Sequence, residues 1–219
     1  MKFYTNVFVR GDKVFVRGYQ DGKPVEDIIH YKPYLFIQSP KGNYRTLDNK
    51  KVDKLQFDSI SEARDFLKQY EDVSNMEIYG LTNFQYLYIY DYFKGDIDYD
   101  PRHINVVTID IECAADEGFP NIQTADKPIT AITLRCKGSS AVFGCGDFVT
   151  NDPKIHYLKC KDEYTLLSNF LKLWEFPSIR PDVITGWNIE FFDIPYLFNR
   201  IKFIMGEAEA YRLSPWGLI

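Results

Sequence analysis

The sequence predicts a mixed α/β fold of the α+β kind, with a β-rich N-terminal domain over residues 1–104 and a second domain over residues 105–219. Two observations predict it. Residues 1–37 alternate apolar and polar side chains between turn sequences, which is the period of half-buried strands. Residues 105–205 instead give three strands, a helix, a strand and a second helix. A chain of 219 residues is long enough to bury two modest cores.

The N-terminal domain begins with a predicted antiparallel β-meander. Its strands read KFYTNVFVR, KVFVRGYQ and PVEDIIHYKPYLFIQ, with turn residues at 10–13 and 20–24. Ser59 and Glu62 then predict the start of a helix. A Ser side chain and a Glu three residues later form a capping box, which satisfies the free N–H groups of the first turn.

The end of the N-terminal domain is predicted to be a strand followed by a connector. Residues 81–92 form an aromatic run typical of a strand. The acidic segment after it contains Gly95 and Pro101, which interrupt regular structure. These residues place the domain boundary near residue 104.

The second domain has a more informative order of elements. Its first three strands read NVVTIDIEC, PITAITLRC and SSAVFGCG, with a turn at Lys137-Gly138, and IHYLKC also has the pattern of a strand. Asp162 caps a helix with the apolar stripe Leu166, Leu167, Phe170, Leu171 and Trp174. DVITGW is the next strand. Asp193-Ile194-Pro195 opens a last helix that carries Leu197, Phe198, Ile201 and Ile204. Three antiparallel strands, a helix, a strand and a helix are the opening of a ribonuclease H-like fold.

Two carboxylates on the first strand of this domain suggest a metal site. Side chains alternate faces along a strand, so Asp110 and Glu112 share one face, with Cα atoms about 6.6 Å apart at a rise of roughly 3.3 Å per residue. Two like charges at this separation on an apolar strand repel each other unless a cation lies between them. In the predicted fold Asp193, at the start of the last helix, would converge with them on a divalent ion.

Composition and charge narrow the classes of function. The net charge of −5 gives no strongly basic surface for nucleic acid, so any such binding would be local or would need a partner. The four cysteines have no C-x-x-C spacing, which predicts reduced thiols rather than a disulfide framework or a zinc site. No apolar run approaches a membrane span and the N-terminus has no signal-peptide pattern. We therefore expect an intracellular protein that does not enter membranes.

Two motifs resemble those of a known enzyme family. Asp110-Ile111-Glu112 resembles the first exonuclease motif, D-x-E, of family B DNA polymerases. The segment from Asn188 to Asp193 resembles the second motif, an Asn followed by a short spacer, an aromatic residue and an Asp. The surrounding sequence, including ITGWNIEFFDIPYLFNRI and the ending GEAEAYRLSP, resembles the N-terminal part of T-even-type bacteriophage DNA polymerases over essentially the whole chain.

The resemblance implies a 3′–5′ proofreading exonuclease that uses two Mg²⁺ ions, for which Mn²⁺ substitutes. It implies that Asp110 bridges the two ions, that Glu112 holds the ion that activates water and that Asp193 supports the other ion. Carboxylate oxygens are the ligands that Mg²⁺ prefers. Asn188 is a candidate to orient the terminal nucleotide, and Phe119 is a candidate to stack on a frayed base.

Each candidate also has a purely structural explanation. Asp110 and Glu112 could lie where the strand turns toward solvent, and Asp193 could serve only as a helix cap. Asn188 could be a plain turn residue, and Phe119 could be a core aromatic.

One expected element of the family is missing from the sequence. The third exonuclease motif, Y-x-x-x-D, does not follow Asp193, and the polymerase palm, fingers and thumb are also absent. We therefore expect either a cut fragment or one half of a divided polymerase, with Phe198, Ile201, Ile204, Trp216, Leu218 and Ile219 forming an exposed apolar patch. A C-terminal polymerase portion or chain would cover this patch and supply the missing carboxylate.

The expected partners are a DNA primer-template, single-stranded 3′ ends and, through the C-terminal portion, replication proteins such as a sliding clamp. The expected location is the cytoplasm of an infected bacterial host. Two alternatives remain open. The first is an autonomous ribonuclease H-like nuclease, and the second is a non-enzymatic module whose N-terminal domain binds RNA or supports the polymerase structurally.

Overall fold

A computed structural model describes residues 2–116 and 118–218. The protein has a mixed α/β architecture with three sheets. It divides into two compact units, Met1–His103 and Ile104–Ile219. Among the described residues, no helix has both the length and the apolar character needed to cross a bilayer.

The first unit contains two sheets and two helices. Its elements are β1 (Lys2–Arg10), β2 (Lys13–Gln20), β3 (Lys23–His30), β4 (Tyr34–Gln38), β5 (Tyr44–Arg45), β6 (Lys51–Gln56), α1 (Ile60–Gln69), β7 (Ile78–Tyr79) and α2 (Phe84–Tyr92). The predicted meander is confirmed for β1, β2 and β3, which pair antiparallel in chain order. The third predicted strand, PVEDIIHYKPYLFIQ, is however interrupted at residues 31–33, and its second half is β4, which belongs to the other sheet. The second sheet has the order β5-β6-β4-β7.

The start of α1 has the predicted cap. The Ser59 hydroxyl accepts a hydrogen bond from the N–H of Glu62 at 3.1 Å. The Glu62 carboxylate reaches back one residue further than a capping box requires and accepts from the N–H of Asp58 at 2.7 Å. Two N–H groups at the helix start are therefore satisfied by side chains.

The prediction of a strand over residues 81–92 is wrong, because this segment forms α2. Asn83 caps it by accepting a hydrogen bond from the N–H of Gln85 at 3.1 Å. Its buried residues are Phe84, Leu87 and Tyr88, which follow helical spacing. The exposed side of the helix also carries aromatic residues, so the sequence looks apolar on every face and its helical period is hidden.

The second unit is built on one five-stranded sheet. Its elements are β8 (Val106–Cys113), β9 (Ile129–Cys136), β10 (Ser139–Gly144), β11 (Ile155–Lys159), α3 (Glu163–Trp174), β12 (Val183–Thr185), α4 (Asp193–Met205), α5 (Glu207–Ala210) and the 3₁₀ turn Tyr211–Leu213. The strand order is β11-β10-β9-β8-β12. The three predicted antiparallel strands are confirmed as β8, β9 and β10. β11 pairs parallel to β10, and β12 pairs parallel to β8.

A two-residue hairpin joins β9 to β10. Lys137 and Gly138 both have positive φ, 50° and 82°, between the paired residues Cys136 and Ser139. A hairpin turn of this kind needs positive φ at both positions, which a glycine adopts without strain. The turn fixes the register of the antiparallel strands that position β8.

The core of the second unit lies between the sheet and the helices α3 and α4. The predicted stripe of α3 is confirmed, since Leu166, Leu167, Phe170, Leu171 and Trp174 are all buried.

The expected exposed patch around α4 is only partly present. Ile201 is fully buried in the core, because it faces the sheet rather than the outside of the unit. Phe198, Ile204, Trp216 and Leu218 are half-buried, and Ile219 lies outside the described residues.

Candidate functional site

The face of β8 that carries the candidate carboxylates is open. Val107, Ile109 and Ile111 are buried, whereas Asp110 and Glu112 are exposed on the opposite face. Both carboxylates therefore point out of the sheet, as the alternation of side chains along a strand predicts.

Asp193 comes to this strand from the start of α4. It is only 5% exposed, and its Oδ1 accepts a hydrogen bond from the backbone N–H of Ile111 at 3.1 Å. β12 stops pairing with β8 at Thr185, opposite Thr108, so the strand edge is open where Asp193 approaches. The helix start therefore lies against the strand segment between Asp110 and Glu112.

Asp193 does not serve only as a helix cap. The N-cap of α4 is Phe192, and no side chain caps the helix by a hydrogen bond. Burial raises the pKa of Asp193 above its usual range, and the negative charge of Asp110 raises it further. Hydrogen bonds from the N–H groups of Ile111 and Asp193 itself oppose this shift. A nearby cation would remove the charge repulsion that these carboxylates impose on each other.

The carboxylates provide the right donors for a divalent ion, but they are not gathered into a finished site. Oxygen ligands from Asp and Glu suit Mg²⁺ and Mn²⁺. Within residues 2–116 and 118–218, no three His, Cys, Asp or Glu side chains lie close enough together to hold a metal ion. The helix start brings Asp193 to the strand, while Asp110 and Glu112 project outward from it.

Asn188 organises the turn that leads into α4. Its φ of 56° lies in the left-handed region, and its carbonyl accepts from the N–H groups of Phe191 and Phe192 at 3.1 and 3.0 Å. An Asn adopts this conformation more readily than most residues. The backbone of Asn188 therefore forms the turn. Its side chain is exposed and makes no hydrogen bond to the described part of the chain.

Phe119 is not a core aromatic. Its side chain is 83% exposed, in the loop between β8 and β9. Its ring contacts that of Phe192, with ring centroids 5.5 Å apart. Phe192 in turn stacks on Tyr196 at 5.4 Å. The exposed ring therefore stands beside the residue that precedes Asp193.

Two exposed aromatic residues near the site were missed in the sequence. Trp187 and Phe191 are 91% and 71% exposed in the loop between β12 and α4. Gly186 holds this loop against the sheet, since a Cβ on it would lie 2.5 Å from the carbonyl oxygen of Ile109. The signal was available, because large aromatic residues in a polar loop are rarely needed for packing.

Polar side chains on α4 were also missed. Tyr196, Asn199 and Arg200 each hydrogen-bond the backbone of the loop between β8 and β9. Their spacing places them on one face of a helix, which the sequence could have indicated. Their target, the backbone of a distant loop, has no signature in the sequence.

An apolar cavity of about 740 Å³ lies beside the site. It runs between β12, the start of α4 and the segment after α5, and Ile184, Ile189, Phe198 and Leu213 line it. β12 pairs with β8 on one side, and its three residues are exposed.

Comparison with known proteins gives a consistent result. A sequence model described as DNA polymerase family B, exonuclease domain, matches residues 54–218. The chain is 32% identical over 247 aligned positions to the DNA-directed DNA polymerase of Escherichia phage RB69, covering 98% of this chain and 27% of that protein. It is 29% identical over 254 positions to the DNA-directed DNA polymerase of Enterobacteria phage T4, covering 100% of this chain and 27% of that protein.

A more distant similarity covers less of the chain. The DNA polymerase delta catalytic subunit of Caenorhabditis elegans is 32% identical over 106 positions, which are 45% of this chain and 9% of that protein. The chain spans about a quarter of the length of the two phage polymerases that it matches.

Proposed function

This chain belongs to DNA polymerase family B, whose exonuclease domain it contains, and from this premise we propose that it is the N-terminal, proofreading part of a phage replicative DNA polymerase. In this proposal it removes 3′-terminal nucleotides from DNA by hydrolysis. Residues 1–104 are the N-terminal domain, and residues 105–219 are the exonuclease part with a ribonuclease H-like fold. The order of β8, β9, β10, α3, β12 and α4 supports this fold.

The observation that carries the proposal is the hydrogen bond between Asp193 and Ile111. It joins the second exonuclease motif to the middle of the first, although the two lie 82 residues apart in the chain. A carboxylate used only to stabilise its own helix would not also accept a hydrogen bond from the backbone of a distant strand. The placement of Asp193 therefore supports a common site with Asp110 and Glu112.

We assign the residues as follows. Asp110, Glu112 and Asp193 would hold two Mg²⁺ ions, or Mn²⁺ in their place. The chemistry that two such ions would supply is activation of a water molecule and stabilisation of the leaving 3′ oxygen. Asn188 orients the terminal nucleotide through its exposed amide, and Phe119 offers its exposed ring to a frayed base.

The complete reaction requires more of the polymerase than this chain. The two phage relatives are about four times longer than the aligned region, and their printed name is DNA-directed DNA polymerase. We propose that polymerisation, the fourth metal-binding carboxylate and contact with a sliding clamp come from the C-terminal portion or chain. The substrates are a primer-template and single-stranded 3′ ends, in the cytoplasm of an infected bacterium.

The proposal is tested by exonuclease assays on a single strand carrying a label at either end. With Mg²⁺ and the C-terminal polymerase portion, the chain should shorten the strand from its 3′ end, and Asp110→Ala should abolish this. Asp152→Ala, on an exposed loop away from β8, is the control and should keep the activity.

Two results would change the assignment. Activity that survives Asp110→Ala would contradict the role of this carboxylate. Strong, Asp110-dependent activity of the chain without the C-terminal portion would favour the autonomous nuclease.

A second candidate, binding of single-stranded RNA by the first unit, is favoured by one surface. Tyr34, Phe36 and Tyr44 form a chain of edge-to-face rings on the sheet of β4, β5 and β6. The Lys54 ammonium lies 3.6 Å from the centre of the Tyr34 ring. Rings beside cations are typical of sites where unpaired bases stack. Phe36→Ala should weaken binding of an unstructured RNA if this candidate is correct, whereas exposed Tyr86→Ala should not.

A further inference from the structure

Three side chains of α4 fasten the loop between β8 and β9 to the helix. This loop comprises residues 114–128, and the structure describes all of them except residue 117. Asn199 donates from Nδ2 to the carbonyl oxygen of Ile122 at 2.8 Å. Arg200 donates from Nη1 to the carbonyl oxygen of Ala125, also at 2.8 Å. These bonds hold the middle of the loop against one face of the helix.

Tyr196 makes the most specific of these contacts. Its hydroxyl donates to the carbonyl oxygen of Lys127 at 2.6 Å and accepts from the N–H of the same residue at 3.0 Å. Its side chain is fully buried, so the hydroxyl has few alternatives to these two bonds. A single side chain thus satisfies both backbone groups of one loop residue.

The ring of Tyr196 connects this contact to Phe119. Tyr196 stacks on Phe192 with centroids 5.4 Å apart and planes 23° apart. Phe192 contacts Phe119 at 5.5 Å. Phe119 is otherwise exposed, so its position depends on this row of rings and on the path of its loop.

Asp193 lies on the same helix turn as Tyr196. Residues three apart on a helix are neighbours, and Asp193 is fixed to β8 by its bond to Ile111. The start of α4 therefore carries the buried carboxylate, and Phe192 just before it contacts the exposed ring of Phe119.

We propose that Tyr196 is a positioning residue, whose hydroxyl and ring hold Phe119 at a fixed place relative to Asp193 so that the 3′-terminal base of a single strand meets the ring. This inference rests on the proposed exonuclease function. Tyr196 is fully buried and does not touch the DNA. It acts only through Phe119 and the loop that carries it.

The test is a double-mutant cycle on DNA binding. The variants Tyr196→Phe, Phe119→Ala and their combination are each combined with the C-terminal polymerase portion and compared for the Kd of a short oligothymidine, with Ca²⁺ in place of Mg²⁺ to prevent hydrolysis. Phe119→Ala should raise the Kd by about 5- to 150-fold, the range that stacking of one base on a ring gives. Tyr196→Phe keeps the stacked ring and should raise the Kd several-fold. In the combined variant it should add nothing to the loss from Phe119→Ala.

Tyr157→Phe is the matched control. It removes a tyrosine hydroxyl that donates to a backbone carbonyl, that of Gly146, on a distant part of the same sheet. It should leave the Kd unchanged. If Tyr196→Phe does not fold, Asn199→Leu is used in its place. This variant removes the hydrogen bond from the less buried Asn199 to the loop, and its effect on the Kd should likewise add nothing to that of Phe119→Ala.

Additive effects of Tyr196→Phe and Phe119→Ala would overturn the proposal, because Tyr196 would then act by another route. An unchanged Kd in Tyr196→Phe would overturn it as well.

Hydrogen exchange separates this inference from the proposed function. Tyr196→Phe should speed amide exchange in residues 118–128, and Tyr157→Phe should not. If the unmodified chain together with the C-terminal polymerase portion binds no oligothymidine but exchange responds as expected, the exonuclease proposal fails while the hydrogen bonding of the loop to α4 stands. Unchanged amide exchange in Tyr196→Phe would show that the Tyr196 hydroxyl does not hold the loop against α4.

Discussion

The carboxylate of Asp193 accepts a hydrogen bond from the backbone N–H of Ile111 at 3.1 Å, between the two exposed carboxylates of β8. An amide oxygen can accept the same bond, whereas a methyl group cannot. We therefore expect Asp193→Asn to keep the free energy of unfolding close to that of the unmodified chain.

Asp193→Ala is the matched variant for this prediction. It leaves the buried N–H of Ile111 without its acceptor, which costs about 1–3 kcal/mol. Urea denaturation of both variants measures the difference. Equal stability of Asp193→Asn and Asp193→Ala would show that the hydrogen bond contributes nothing.

Phe119 should matter little for stability. Because its side chain is 83% exposed, Phe119→Ala should change the free energy of unfolding by no more than about 0.5 kcal/mol. Phe170→Ala, in the fully buried stripe of α3, should cost about 3–5 kcal/mol. Denaturation curves measure both variants. A large loss of unfolding free energy in Phe119→Ala would show that Phe119 packs in the core.

The ion pair between Arg200 and Glu163 should be important for stability. Arg200 donates to both carboxylate oxygens of Glu163, at 2.8 and 2.6 Å, and the two side chains are 6% and 15% exposed. Removing one partner leaves a buried charge alone, so Arg200→Ala should cost about 3–5 kcal/mol.

Lys159→Ala is the control for this ion pair. Lys159 pairs with Asp147 on an exposed surface, where solvent screens an ion pair and leaves it little effect on stability. Similar losses of unfolding free energy in Arg200→Ala and Lys159→Ala would show that burial does not make the ion pair of Arg200 more important for stability.

The first unit should lose stability at high pH. Burial raises the pKa of Tyr34 to about 12, and its hydrogen bond to Asp91 contributes to the shift. A raised pKa means that the neutral phenol is favoured in the folded state. This stabilisation is complete below the ordinary value of 10.0 and is lost as the pH rises through about 12.

Tyr34→Phe removes this titration. The free energy of unfolding of the variant should therefore fall less steeply between pH 10 and 12 than that of the unmodified chain. Guanidinium denaturation at several pH values measures the slopes. Identical slopes would assign the loss of stability to other groups.

The strands of the second unit were predictable because their signals are local. Alternation along β8 placed Asp110 and Glu112 on one face, and Lys137-Gly138 marked the hairpin that aligns the next two strands. The helix α2 was not predictable in the same way. Exposed Tyr86 and Tyr90 hide the helical period of its buried residues.

The site was only partly predictable. The motifs identified Asp193 by resemblance, but its bond to the backbone of Ile111 has no signal in the sequence, since any residue offers an N–H group. The same reason explains why Tyr196 was missed, because its partner is the backbone of Lys127.

We propose that Asp110, Glu112 and Asp193 serve one divalent metal site. The most direct measurement is the melting temperature of the chain with and without Mn²⁺, because a ligand that binds only the folded state stabilises it by mass action. We predict that Mn²⁺ raises the melting temperature of the unmodified chain and of Asp152→Ala, and that Asp110→Ala abolishes the rise. A rise of the same size in Asp110→Ala would contradict the metal site.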